Sequence, residues 1–417
     1  MYFYIDPGTG SMLFTILIGI IGAAIYALRN LVVKAKFWMS GGKQKQTDSG
    51  NTPFVIFTDT KRYESIFKPL CDEMEKRGET VHYLTASPDD PLLKEKYEHV
   101  KAEFIGEGNK AFARMNFLKA DVVLSSTPGL DVYQWKRSRD VKWYAHIYHA
   151  ANDITSYRMF GLDYYDAVLV NGGFQIPLIR KLEKLRNLPE KEVVIVGQPQ
   201  LDDLKRQLDS APKADKAGTR TILLAPSWGK SSIFSRFGGK VIEALLKTGY
   251  HIIVRPHPQS MISEKDMIDG IMKQYPASDT LEWNFDNDNF SAMNRSDLLI
   301  SDFSGILFDF ALAFDKPLIY ADTSFDKGPY DAWWLDEEMW TFRVLPTIGR
   351  QLKEEDMGRL KDVIDETLAD PALKEGREQA REHAWANRGK SVEAMADYLI
   401  EVRKRLTEAP EESQAAS

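Results

Sequence analysis

Short apolar, β-rich runs recur along the chain, separated by amphipathic or polar stretches. The runs 54–57, 81–84, 122–125, 143–149, 167–170 and 193–196 predict strands, and the amphipathic stretches 63–77 and 176–188 predict helices between them. Strands alternating with helices define a parallel sheet with helical cover. A polar stretch rich in Lys, Asp and Ala, 202–219, reads as a helix end followed by a linker. A second alternating set then begins: strands at 221–225, 252–254, 281–283, 298–301 and 318–320, with helices at 241–248 and 306–314. Helices over 354–369, 372–386 and 391–406 close the fold. The pattern predicts an α/β protein with two Rossmann-like parallel-sheet domains facing a cleft, where the C-terminal ends of strands present their turns. The expected domains are 53–203 and 220–406, joined by a linker at 204–219 and followed by a disordered tail at 407–417.

The N-terminus has a different pattern. Residues 12–28 form an uncharged apolar run that 30–33 can extend, at the short end of the roughly 17–25 residues that cross a bilayer. Arg29, Lys34, Lys36, Lys43 and Lys45 follow the run, whereas Asp6 is the only charged side chain before it. That asymmetry predicts a single transmembrane helix within an anchor at 1–39, a linker at 40–52, and globular domains in the cytoplasm. Basic residues after the run rather than before it argue against a cleaved signal peptide.

Composition narrows the classes further. At 417 residues the chain has ample length for two cores. Its formal charge of −7 argues against a general nucleic-acid binder. Cys71 is the one cysteine, so no intramolecular disulfide can form, and its place in the helix 63–77 reads as a small core residue.

Two strand-to-loop turns carry the candidate chemistry. In Leu298-Leu-Ile-Ser301-Asp302-Phe-Ser304-Gly305 a buried strand runs into a small-polar turn and an apolar helix. Ser304 is expected at the N-cap, with backbone N–H groups and the helix dipole directed toward an anion such as a diphosphate. The other turn, Arg255-Pro-His257-Pro258, ends the strand 252–254. Arg255 offers a planar fork to phosphate oxygens, and His257 can donate to the same group or protonate a leaving nucleotide. Ser227 in Ala225-Pro-Ser-Trp-Gly229 ends the first strand of the second set and can reach the same pocket, while Lys230 reads as a solvated charge.

Taken in order, these segments resemble the CDP-glycerol glycerophosphotransferase family of teichoic-acid polymerases and primases. That family carries an Arg-x-His-Pro element and a (Ser/Thr)-Asp-(Tyr/Phe)-Ser-Ser element. Leu224-Ala-Pro-Ser-Trp228 is similar to its Pro-Thr-Trp/Tyr strand end, and Gly197-Gln-Pro-Gln-Leu-Asp202 to its Gly-x-Pro-Arg-x-Asp exit from the first domain. The resemblance covers roughly residues 140–390. It implies the GT-B arrangement and a metal-independent reaction without a cofactor. By it, a CDP-linked polyol donor passes its polyol phosphate to a hydroxyl of a lipid-linked or polymer acceptor.

The resemblance also implies that His149, after the run 143–149, is the general base that takes the acceptor proton. Ala150 stands where the family has glycine, and Gly305 where it has a second serine. His257 is read as catalytic as well, and Arg255, Ser227, Ser301, Ser304 and Gly305 as donor-binding; Asp302, which cannot bind phosphate directly without a cation, is read as capping the turn or holding a ribose hydroxyl of the donor. Asp153 is read as orienting His149, contacting an acceptor hydroxyl, or forming the loop turn. Period-two alternation puts His146 and His149 on opposite faces of the strand, which argues against their acting together. Asp286-Asn-Asp288 reads as a loop, Asp309 as structural, and the aromatic stretch 330–340 as interdomain packing, an acceptor platform or a membrane-facing patch. Two further readings share the fold: a nucleotide-sugar transferase, and a membrane-anchored scaffold without chemistry. Oligomerisation is compatible with all of them.

Overall fold

The computed structural model describes residues 51–212, 218–286, 288–302, 304–321 and 325–408. The chain divides into two units, Met1–Asn51 and Thr52–Ser417, and the account below concerns the second. The expected membrane helix, and residues 409–417 of the expected tail, lie outside the described residues. Among the described residues, no helix is long and apolar enough to cross a membrane.

The first sheet contains β1 (Thr52–Thr58), β2 (Val81–Thr85), β3 (Val100–Phe104), β4 (Ala120–Ser125), β5 (Val141–Ile147), β6 (Ala167–Val170) and β7 (Glu192–Ile195), ordered β3-β2-β1-β4-β5-β6-β7. The second contains β8 (Thr221–Leu224), β9 (His251–Val254), β10 (Leu281–Trp283), β11 (Leu298–Ser301), β12 (Leu318–Ala321) and β13 (Gly349–Leu352), ordered β10-β9-β8-β11-β12-β13. Neighbouring strands pair in parallel throughout both sheets. Central strands are buried on both faces, which is why they read as continuous apolar runs. In each sheet the strand order reverses direction once, between β1 and β4 and between β8 and β11. A doubly wound sheet opens a crevice for ligand at that point.

Of the four edge strands, β3 and β13 are absent from the sequence reading. Lys101 and Glu103 interrupt the apolar signal of β3, and β13 is Gly-Arg-Gln-Leu. An edge position buries less of each strand, so the sequence carries less apolar imprint.

The chain crosses between lobes twice at nearly the same place. Gly197 has φ +99°, and a Cβ there would lie 2.2 Å from the Ala386 carbonyl oxygen, so glycine is required where the outgoing and returning chains touch. Pro199 then opens the helix Pro199–Ser210, which occupies much of the expected linker. From that helix the Asp202 carboxylate accepts hydrogen bonds from Trp385 Nε1 (2.7 Å), Gly389 N (2.7 Å) and Ser391 N (3.0 Å). The segment Gly197–Asp202 is thus the clasp of the crossover. After it, the helix Ser391–Glu408 packs Met395, Tyr398, Leu399 and Val402 into the first lobe's core, so the second lobe does not extend to residue 406 as expected.

Candidate active site

His149 lies just beyond the end of β5. The strand stops at Ile147, so the alternation that would send His146 and His149 to opposite faces no longer applies. The hydroxyl of Tyr157 bridges the two rings, 2.9 Å from His146 Nε2 and 3.1 Å from His149 Nδ1. The expectation that these histidines stay apart is therefore corrected. The other ring nitrogen of His149, Nε2, is 3.4 Å from the hydroxyl of Tyr63, whose ring lies 4.4 Å from the imidazole. Desolvation holds the His149 imidazole down at about 4, so it is neutral at physiological pH. Gln198, in the crossover, donates to the His149 carbonyl at 2.9 Å and fixes the backbone here.

Asp153 does something other than orient His149 or meet an acceptor. Its buried carboxylate accepts the backbone N–H groups of Trp340 (3.0 Å) and Thr341 (2.7 Å) and the Thr341 hydroxyl. These groups open the helix Trp340–Ile348 of the second lobe. A carboxylate satisfies free donors and the positive dipole end of that helix, so Asp153 is an interlobe cap. Beside it, Trp340 stacks on His383 and packs at a tilt against Phe174, so part of the aromatic stretch is interdomain packing. Trp333, by contrast, is 64% exposed.

On the opposite wall, His257 is half-buried and its Nδ1 accepts the Gln259 N–H at 3.1 Å. In the neutral ring that places the proton on Nε2, which remains a donor. Burial, then the Arg62 guanidinium reaching from the first lobe, lower the His257 imidazole from its usual value, opposed by Glu264. Two lobes thus contribute charge to one cleft.

The turn after β11 divides into supports and candidate contacts. Asp302 is fully buried, and its carboxylate accepts Ser227 N (3.0 and 2.9 Å) and Ile233 N (3.2 Å). Ser301 is also fully buried and donates to the Ala225 carbonyl at 2.6 Å. Ser301, expected at the donor, and Asp302, expected to cap the turn or hold a ribose hydroxyl, both tie β11 to the loop after β8, across the switch point. Arg255 is corrected in the same way. Its Nε donates to Asn289 Oδ1 (2.7 Å), its Nη2 to the Asp286 carbonyl (2.7 Å), and its Nη1 to Asn284 Oδ1. Arg255 is 8% exposed, and its donors are tied to the loop residues Asn284, Asp286 and Asn289. Asp286 and Asp288 belong to that loop, with Asp288 receiving Phe290 N at 2.9 Å.

What remains open to a ligand is Ser227, Ser304 and Gly305. Ser227 Oγ is buried with no hydrogen-bond partner among the described residues, so it is a polar group awaiting one. Ser304 is half-buried and does not cap the next helix, Ile306–Phe308, whose N-cap position is Gly305. A Cβ on Gly305 would touch nothing within 4 Å. The helix expected at 306–314 is a single α-turn, Ile306–Phe308, continued by a π-turn, Asp309–Ala313. Such wide turns recur at functional sites. Asp309 accepts Gln200 Nε2 from the crossover helix at 3.1 Å, and burial raises its carboxyl to about 7. Lys230 is exposed, as expected.

Tyr63, Tyr157 and Arg62 were not singled out in the sequence. Tyrosines and arginines are common in amphipathic segments, and only the fold gathers these three beside the histidines.

Two parallel-sheet Rossmann-like lobes, with His149 after β5 in the first and His257 after β9 in the second, form a GT-B-like fold. The chain belongs to the CDP-Glycerol:Poly(glycerophosphate) glycerophosphotransferase family, whose pattern matches residues 51–332. The chain is 26% identical to the minor teichoic acid biosynthesis protein GgaB of Bacillus subtilis (strain 168) over 32% of its own length; it spans only 16% of that relative. The fold is similar to the wall teichoic acid polymerase TagF, with a TM-score of 0.59 at 15% identity, covering 94% of this chain and 99% of the other. It is also similar to a UDP co-structure of S. aureus MnaA, with a TM-score of 0.56 at 14% identity, covering 87% and 99%.

Proposed function

We propose that this chain transfers glycerol phosphate, or a related polyol phosphate, from a CDP-linked donor to a hydroxyl of a lipid-linked or polymer cell-envelope acceptor, releasing CMP. The observation that carries the reading is His149: an imidazole kept neutral by burial, with Nε2 against the Tyr63 hydroxyl and Nδ1 against that of Tyr157. The acceptor hydroxyl would take the place of the Tyr63 hydroxyl at Nε2. As the acceptor oxygen bonds to phosphorus, its proton passes to Nε2 and the bond from phosphorus to the CMP oxygen breaks. The proton then leaves His149 for solvent.

Charge builds on the departing phosphate, where preorganised donors are most effective. His257 Nε2–H, the Ser227 and Ser304 hydroxyls and the backbone at Gly305 supply such donors in this reading. Arg255, Ser301 and Asp302 act indirectly, by holding the loops that carry them. Residues 12–28 would anchor the enzyme on the cytoplasmic face of the membrane, near a lipid-linked acceptor, and raise its effective concentration there.

Likeness to the UDP co-structure supports a second reading, transfer from a nucleotide sugar. The full chain, in detergent with membrane lipid extract as acceptor, is to be assayed for CMP release from CDP-glycerol and UDP release from UDP-N-acetylglucosamine. The reading requires CMP release that His149→Ala abolishes. UDP release alone would favour the sugar transferase, and neither release from well-folded protein would favour the scaffold.

A further inference from the structure

Behind His149 lies a chain of groups that the transfer reaction does not itself require. Tyr157 is buried, and its hydroxyl contacts His149 Nδ1 at 3.1 Å and His146 Nε2 at 2.9 Å. His146 is fully buried, packed edge-on to Tyr157 and Tyr165, and its Nδ1 has no partner among the described residues.

A phenol carries a single proton, so Tyr157 donates at one of these contacts and accepts at the other. The state after proton transfer decides which. Once His149 has taken a proton on Nε2 it is an imidazolium, and both ring nitrogens are donors. Tyr157 must then accept from Nδ1–H, and its own proton must go to His146 Nε2. His146 therefore carries its proton on Nδ1. If the resting enzyme already has this arrangement, His149 presents a lone pair at Nε2 and nothing reorganises when the acceptor proton arrives.

We propose that Tyr157 and His146 are positioning residues forming a neutral relay, which holds the His149 proton on Nδ1 and its lone pair on Nε2. This rests on the reading of His149 as the base. A phenol and a second imidazole do here what a carboxylate does behind many catalytic histidines. The relay ends at His146, whose complete burial disfavours a charge, so the acceptor proton stays on His149 until solvent removes it.

The second lobe holds the relay in place. The Tyr157 carbonyl accepts Asp331 N at 2.9 Å, and the Asp331 carboxylate accepts Phe160 N at 2.8 Å. An isolated antiparallel bridge joins Arg158 to Tyr330 between these contacts. The placement of the phenol therefore depends on the docking of the two lobes.

The test is a two-bond ¹H–¹⁵N correlation spectrum of the full chain labelled at histidine nitrogen, with the His149 signals assigned by their loss in His149→Ala. The expected spectrum shows His149 protonated at Nδ1 and bare at Nε2. Tyr157→Phe should move it toward the Nε2–H form and lower kcat about tenfold or more with little change in KM for the donor. His146→Gln, which keeps an acceptor for the phenol, should retain the wild-type tautomer, whereas His146→Leu should not. An Nε2–H form in the wild type, or a tautomer unmoved by both Tyr157→Phe and His146→Leu, overturns the relay. The tautomer is read without turnover, so the expected spectrum with full activity in His149→Ala would sink the base assignment while the tautomer-setting contacts stand.

Discussion

Asp302 holds Ser227 across the switch point of the second sheet, its two carboxylate oxygens 3.0 and 2.9 Å from the Ser227 N–H. One buried carboxylate also receives Ile233 N, so the loop between β8 and the next helix takes its shape from a residue that never faces the cleft. Removing it leaves buried N–H groups unsatisfied, at a cost of about 1–3 kcal/mol each. Asp302→Ala is expected to lower stability by about 2–4 kcal/mol and to weaken donor binding indirectly. Ser304→Ala should weaken binding without moving the thermal midpoint. Denaturant melts paired with donor titrations separate the two.

Gly305 stands where the family's pattern has serine, and a Cβ there meets open space. Gly305→Ser is therefore expected to leave stability within about 0.5 kcal/mol of the wild type. The added hydroxyl should tighten binding of a CDP-linked donor severalfold. Titration calorimetry of the two proteins side by side measures it.

His149 makes acid the sensitive direction. Its imidazole titrates at about 4 in the fold because of burial, against about 6.5 in an unfolded chain. The unfolded chain therefore takes up the proton first as pH falls. Stability from this group is complete above about 6.5 and is lost progressively down to about 4, at no more than about 1.4 kcal/mol per pH unit. The same shift keeps the base unprotonated, so the acid limb of kcat/KM should fall near pH 4 rather than near 6.5. His149→Gln removes this contribution to the pH-dependent stability, which melts between pH 4 and 7 would show.

Asp309 acts in the opposite sense. Burial raises its carboxyl to about 7, with only the Gln200 hydrogen bond opposing, whereas the unfolded chain ionises near 3.9. Stability is greatest below the unfolded value and declines as pH rises through 7, by up to about 4 kcal/mol in all. Asp309→Asn should therefore be the more stable protein at pH 8, and the difference should vanish near pH 4. Thermal midpoints across that range report it. An equal offset at both ends would contradict the assigned titration.

Both sheets were legible in the sequence because central parallel strands are buried on two faces and leave unbroken apolar runs, as at Val122–Leu124 and Leu298–Ile300. The edge strands β3 and β13 escaped because Lys101, Glu103, Arg350 and Gln351 sit where a central strand would have apolar residues. The two candidate turns lie at the C-terminal ends of β9 and β11 as expected, but several polar residues there serve the loops themselves. Ser301, Asp302 and Asp153 have the chemistry of ligand contacts and direct it mostly at backbone groups, while Arg255 divides its donors between the Asn284 and Asn289 side chains and the Asp286 carbonyl. A sequence shows which polar group is present and not which buried N–H or carbonyl it must satisfy. The pairing of His146 with His149 was missed because the strand ends two residues before the second histidine. Tyr157, which joins them, lies in an irregular segment that no periodicity marks.

The central claim is tested most directly by titration calorimetry of CDP-glycerol into the full chain, with UDP-N-acetylglucosamine as comparator and His257→Ala as control. The account predicts cytidine-selective binding that weakens in His257→Ala while its thermal midpoint stays near the wild-type value. Preference for the uridine ligand, or CDP-glycerol affinity unchanged by His257→Ala, would contradict it.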